Sequence, residues 1–244
     1  MPKRQSPSPL FTIVLICLIL ALVLYRYLHR SNPSGWQIAC GEHCGTERWR
    51  IKTVSDSESG RIDWNPAPSS ISDLVAIQPP KVLDDSRADA ERRVYSVEAV
   101  LLGWKVEAGP HGDRDYHLVL GDPAEPGRTL IAEVPSGDCA GACSSSHVRQ
   151  FMQARQELVS RLSAPQAHFR RLNPAWIVRV QGVGFFDMYH NQIGVAENCI
   201  ELHPVLRIEF VRELGPETAL PGKIERPAEH HCGRLEKSYS SDEE

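Results

Sequence analysis

Between residues 94 and 210 the hydrophobic period changes from two to helical and back to two, and this change constrains the fold more than any other feature. Residues 94–107 (VYSVEAVLLGWKVE), 115–121 (DYHLVLG) and 128–134 (RTLIAEV) read as strands. Residues 147–163 then place Val148, Phe151, Met152, Leu158, Val159 and Leu162 at helical spacing. Strand patterns return in 176–186 (WIVRVQGVGFF) and 200–210 (IELHPVLRIEF). The order β-β-β-α-β-β predicts a mainly β domain with one helix, an OB-like five-stranded barrel, with an unrelated α+β sandwich as the alternative. Gly103 inside the first strand predicts a bulge or bend. A fold of this kind names no function. In such barrels ligands meet the second and third strands and two loops, here 108–114 and 187–199.

The N-terminus carries a different signal. Residues 10–25 hold no charge, and Tyr27 and Leu28 prolong the apolar stretch past Arg26. As a helix, residues 10–28 would reach ~28 Å, about the hydrocarbon thickness of a bilayer. The expected organisation is a cytoplasmic stub and transmembrane anchor over 1–30 and a linker with an N-terminal extension over 31–93. The barrel follows over 94–212, and a tail over 213–244. Cleavage as a signal peptide competes, but no small-x-small site follows the apolar run.

Charge flanking the apolar run does not orient it: Lys3 and Arg4 stand on one side, Arg26 and Arg30 on the other. Cysteines decide instead. Cys17 lies in the apolar run, leaving an even set of six, Cys40, Cys44, Cys139, Cys143, Cys199 and Cys232. An even set suits an oxidising compartment, which places the C-terminal domain outside the cytoplasm. The expected bridges are Cys44–Cys139 and, parallel to it, Cys40–Cys143, leaving Cys199–Cys232. Residues 1–30 contain four bases and no acid, so 23 of the 27 basic groups remain against all 31 acids, a net charge of −8. So acidic a domain is not built to hold nucleic acid by bulk charge.

Candidate chemistry sits on two strands. In the last one, Ile200, Leu202, Pro204, Leu206, Ile208 and Phe210 alternate to one face, and Glu201, His203, Val205, Arg207 and Glu209 to the other. The first set is expected to face the core, leaving Glu201 and His203 together outside it. Pro204 marks an edge strand or a bulge. Asp115 and His117 repeat the acid–imidazole pair on the second strand, and Asp187 and His190 lie in the loop before the last. His203, Glu201, His190 and Asp187 are candidates for acid–base catalysis, and His117, Asp115, His190 and His203 for ligand binding. His117, His190 and His203 are candidate ligands for a divalent metal ion. The spacing matches no His-Glu-x-x-His signature, and polar faces of half-exposed strands would explain the same residues.

The phrases Cys44-Gly45-Thr46-Glu47-Arg48-Trp49, Asp115-Tyr116-His117-Leu118-Val119-Leu120, Gly182-Val183-Gly184-Phe185-Phe186-Asp187 and Ile200-Glu201-Leu202-His203-Pro204-Val205 resemble a family of exported or membrane-attached bacterial proteins with no assigned activity. The resemblance spans about residues 44–210. Two positions depart from it, Asn191 and Cys199, where that family usually carries glycine. The resemblance implies export and carries no mechanism.

Other motifs are weaker. Cys40-Gly41-Glu42-His43-Cys44 and His230-His231-Cys232 offer enough ligands for zinc, but disulfides explain the same cysteines. Gly182-Val183-Gly184 lies within a strand with no helix after it, so it is no phosphate loop. Ser144 to Ser146 lack the nucleophile elbow of a serine hydrolase. The expected function is a membrane-anchored extracytoplasmic binding module of unknown ligand. A metal-dependent or His/carboxylate hydrolase, phosphodiester-directed among the options, and a structural envelope protein are the alternatives.

Overall fold

The computed structural model describes residues 40–42, 44–45, 47–108, 112–125, 127–189, 191–215, 224, 232 and 234–235. Its centre is a six-stranded mixed sheet in the order β1-β3-β4-β5-β7-β6. The strands are β1 (Asp63–Ser69), β3 (Arg93–Val106), β4 (Tyr116–Gly121), β5 (Thr129–Val134), β6 (Arg170–Phe186) and β7 (Ile200–Glu213). β3 also pairs with β6. A parallel two-stranded sheet joins β2 (Val82–Leu83) to β8 (Arg234–Leu235). The helices are α1 (Trp49–Lys52), α2 (Ile71–Val75) and α3 (Val148–Leu162).

This corrects the expected architecture. The chain is mainly β, but its sheet has six strands of mixed direction instead of an OB-like five-stranded barrel. The sixth strand, β1, comes from a segment read as linker. Its sequence, DWNPAPS, has no alternation and two prolines. It pairs parallel to residues 93–97 of β3, whereas β4 pairs only with 100–106, so β1 lies at the edge, where a missing N–H donor is tolerated. No helix among the described residues is long and apolar enough to cross a membrane. The expected span, 10–28, lies outside the described residues.

The helix and the bulge fall where the pattern placed them. Phe151, Ala154, Leu158 and Leu162 form the buried stripe of α3, which packs on β7. Each buried Leu or Phe contributes about 1.5–3 kcal/mol. The β3–β4 register shifts between Leu101 and Gly103, where an added Cβ would meet Phe169 at 2.4 Å. β6 begins at Arg170, earlier than residue 176, across a Pro174 that reads as a breaker.

Three disulfides join Cys40 to Cys143, Cys44 to Cys139 and Cys199 to Cys232. The first two tie the segment before α1 to the segment after β5. Backbone bonds from Gly41 N to Asp138 O and Ala140 N to Glu42 O run beside them. Trp49 donates its indole N–H to Ala140 O at 2.6 Å. On the other side of α1, the buried Arg48 guanidinium donates to both Glu91 carboxylate oxygens, at 2.7 and 2.9 Å, and to the carbonyls of Asp84, Ser86 and Phe186. Together these contacts fix α1 against the end of β6, and so place Lys52.

Candidate functional site

The sheet register assembles the site. His117 on β4 lies opposite Glu133 on β5, and Ile131 on β5 lies opposite Glu201 on β7. Because side chains alternate, Asp115, His117, Glu133, Glu201 and His203 share one face of the three adjacent strands. Leu118, Leu120, Leu130, Ala132, Ile200 and Leu202, on the opposite face, enter the main core.

The polar face is itself covered. Asp115, His117 and His203 are fully buried, and Glu133 and Glu201 nearly so. This corrects the expectation that Glu201 and His203 lie outside the core. Part of the cover is the loop after β6, closed by a bond from Asp187 N to Cys199 O. Asn198 holds it by donating to the carbonyls of Leu74 and Ile77, and Ile193 O meets His117 Nε2 at 3.0 Å. α1 supplies the rest through Lys52, whose Nζ lies 3.3 Å from Asp187 Oδ2 and 5.5 Å from the centre of the Phe185 ring. Asn191 and Cys199, at φ 63° and 57°, adopt the left-handed backbone that glycine takes without cost.

Pro204 proves to mark a bulge, since β7 is paired on both sides. Between the pairs Gly182–Val205 and Gly184–Leu202, β7 carries one residue more than β6. The alternation breaks there, and Val205, expected beside His203, enters the main core.

Glu133 is the hub. Its Oε1 accepts from His117 Nδ1 at 2.7 Å, and its Oε2 lies 3.2 Å from His203 Nδ1. His203 Nε2 lies 3.1 Å from Asp115 Oδ2, and Glu201 Oε2 stands 4.0 Å from His203 Nδ1. Glu107, at the rim, is 3.5 Å from His117 Nδ1 and pairs with Lys105. Two triads thus converge, Asp115–Glu133–His203 and Glu107–His117–Glu133, each with one ligand atom per residue within 4.8 Å of the others. They differ in one respect. Both ring nitrogens of His117 have acceptors. Neither nitrogen of His203 is aligned for a hydrogen bond despite the short contacts, and Asp115 Oδ2 and Glu201 Oε2 are also without one.

The electrostatics are one-sided. Five buried carboxyl groups, those of Asp113, Asp115, Glu133, Asp187 and Glu201, face one buried ammonium, Lys52, and two imidazoles. Burial, with the neighbouring Asp187 and Glu133, pushes the Glu201 carboxyl well up. Burial and Asp115 push Asp113 to about 8. Burial works against charge on Glu133 and His203 as well, but there the pairing wins. The bond from His117 and the close His203 ring hold Glu133 well below the carboxylate range, and Asp115 and Glu133 raise His203 to about 9. Lys52 is raised despite its burial by Asp187 and the other acids.

No protein-family model, curated protein or solved structure matches this chain. Of the sequence candidates, His117, Asp115, His203 and Glu201 come together, and Asp187 joins them through Lys52. His190 lies outside the described residues. Sequence reasoning missed Glu133, although it is the one charged residue of β5. It also missed Lys52, because RWRIKTV reads as a strand and forms the short helix α1 instead.

Proposed function

We propose that this chain is an extracytoplasmic binding module whose ligand is a small cation held by the buried cluster of Asp115, Glu133, Glu201 and His203. One observation carries the reading: four side-chain polar atoms of His203, Asp115 and Glu201 are buried in one place without hydrogen bonds. An unsatisfied buried polar group costs about 1–3 kcal/mol. Gathering several at one point is a poor way to build a core and a good way to receive a ligand. Carboxyl groups outnumber imidazoles around these atoms, a donor set that suits a cation.

A hydrolase acting on phosphodiesters is less well supported. The cluster is roofed, and the cations a phosphate would seek are already engaged, Lys52 by Asp187 and His203 by Asp115 and Glu133. The net charge of −8 outside residues 1–30 disfavours nucleic acid as a partner. A purely structural role leaves the unpaired atoms without a purpose. Export suits the disulfides, and residues 10–28 are the proposed attachment to the bilayer.

Chelator-treated full-length protein should be unfolded by heat with Na⁺, Ca²⁺, Mn²⁺, Zn²⁺, methylammonium or ethylenediammonium added. At least one of these cations should raise the melting temperature of the wild type and leave His203→Gln unmoved. Equal responses in both proteins, or none in either, would contradict the reading.

A further inference from the structure

We propose that the occupant is a single first-row divalent transition-metal ion, bound by Asp115 Oδ2, a carboxylate oxygen of Glu133 and one ring nitrogen of His203, with Glu201 as a fourth ligand. This rests on the cation-binding reading above and narrows it to one chemistry.

The spacing selects a metal over an organic ammonium. Atoms bound to one ion at about 2.0–2.2 Å stand roughly 3.0–3.6 Å apart across the edges of its coordination shell. Asp115, Glu133 and His203 bring one ligand atom each within 4.8 Å of the others, and the 3.1 Å contact of Nε2 with Asp115 and the 3.2 Å contact of Nδ1 with Glu133 each match that edge, from opposite nitrogens of the ring. Glu201 Oε2 at 4.0 Å needs only a small side-chain rotation to join. An ammonium would need acceptors about 2.8 Å from its nitrogen, hence a wider cage.

Lack of hydrogen-bond alignment points the same way. His203 Nε2 lies close to Asp115 Oδ2, and Nδ1 to Glu133 Oε2, without either nitrogen being aligned for a hydrogen bond, as ligand atoms directed at an ion would be. The ring's nitrogens both have carboxylates nearby. Whichever nitrogen binds the ion, the other keeps a carboxylate oxygen within 3.2 Å, which a small rotation would turn into the ring-fixing acceptor common around metal-bound histidine.

Donor chemistry narrows the ion. One imidazole with two or three carboxylates suits Mn²⁺, Fe²⁺ or Zn²⁺ better than Cu⁺, which prefers sulfur, or Mg²⁺ and Ca²⁺, which prefer all-oxygen shells. Cysteine contributes nothing, since the six described cysteines are in disulfides. The second triad is a supporting layer. Its His117 is already satisfied on both nitrogens, and it braces Glu133 from behind.

The test is metal loading of the full chain in detergent, stripped with chelator and dialysed against Mn²⁺, Zn²⁺ or Co²⁺. Metal per chain is then read by elemental analysis, with the visible absorption of Co²⁺ as a second signal. One ion per chain is expected, and Asp115→Asn and Glu201→Gln, chosen because each keeps the size and shape of its side chain, should weaken binding by more than about tenfold. A stoichiometry near zero, or equal loading of wild type and both variants, overturns the proposal. If Na⁺ or an amine protects the wild type against heat and no transition metal binds, the cation-binding module stands and the metal centre falls. If no cation protects and none binds, both fall.

Discussion

His203 Nε2 on β7 lies 3.1 Å from Oδ2 of Asp115, the residue just before β4, and both side chains are fully buried without a hydrogen bond between them. The strands that carry them are not neighbours. β5 runs between β4 and β7, and its Glu133 bridges the histidines of both. The cluster is therefore a property of sheet order, and no short motif encodes it.

Glu133 and Glu201 face the same imidazole from unlike environments, so neutralising them should have opposite consequences. Glu133→Gln removes the partner of two histidines and should cost about 3–5 kcal/mol, as breaking a buried ion pair does. Glu201→Gln removes a carboxyl that its neighbours and its burial already disfavour as an anion. It should leave stability unchanged or raise it. Urea unfolding at neutral pH in chelator decides this, and destabilisation of similar size in both would contradict it.

The paired disulfides should not be additive. Cys44–Cys139 and Cys40–Cys143 close nearly the same loop, with separations of 95 and 103 residues. Removing both should cost about 4–5 kcal/mol on the chain-entropy model. Either one alone should cost well under half of that, because the other still closes the loop. Chemical denaturation of the two single-bridge variants and the double variant measures this.

The acid limb of stability should depend on Asp122. Burial would raise this carboxyl, but bonds from the Ser72 hydroxyl and from the backbone N–H groups of Ser72 and Ala124 hold it below its ordinary value of 3.8. A lowered carboxyl stabilises the fold above its unfolded value, and the contribution fades as pH falls through its folded value. Asp122→Asn should therefore be less stable than wild type near pH 6, with the gap closing toward pH 2. A gap that held constant would refute the assignment.

Ser163, which caps the C-terminus of α3, adopts φ 68° and ψ −175°, a conformation nearly reserved for glycine. The residue is exposed, and its N–H still bonds to Val159 O. Ser163→Gly should stabilise the protein by about 1 kcal/mol by relieving that strain. A loss of stability on thermal unfolding would show that the serine is not strained.

Period-two and helical patterns were legible in the sequence because they record which residues face apolar surroundings. They placed β3, β4, β5, α3 and β7, and the acid–imidazole pairs on β4 and β7. β1 was not legible, since DWNPAPS becomes a strand only because β4 leaves part of the β3 edge open. Burial of Glu201 and His203 was not legible either. Alternation gives a face but not what covers it, and the cover comes from α1 and the loop after β6, both distant in sequence. The same ignorance hid Lys52, which becomes part of the site only once Arg48, Trp49 and the two parallel disulfides have set α1 in place.

The central claim is that the cluster holds a cation, and crystals of the protein grown with Mn²⁺ test it most directly through anomalous scattering. The account predicts one strong peak about 2.0–2.2 Å from Asp115 Oδ2, Glu133 and a ring nitrogen of His203. A map with no peak there, and with His203 turned into aligned hydrogen bonds to Asp115 and Glu133, would contradict it.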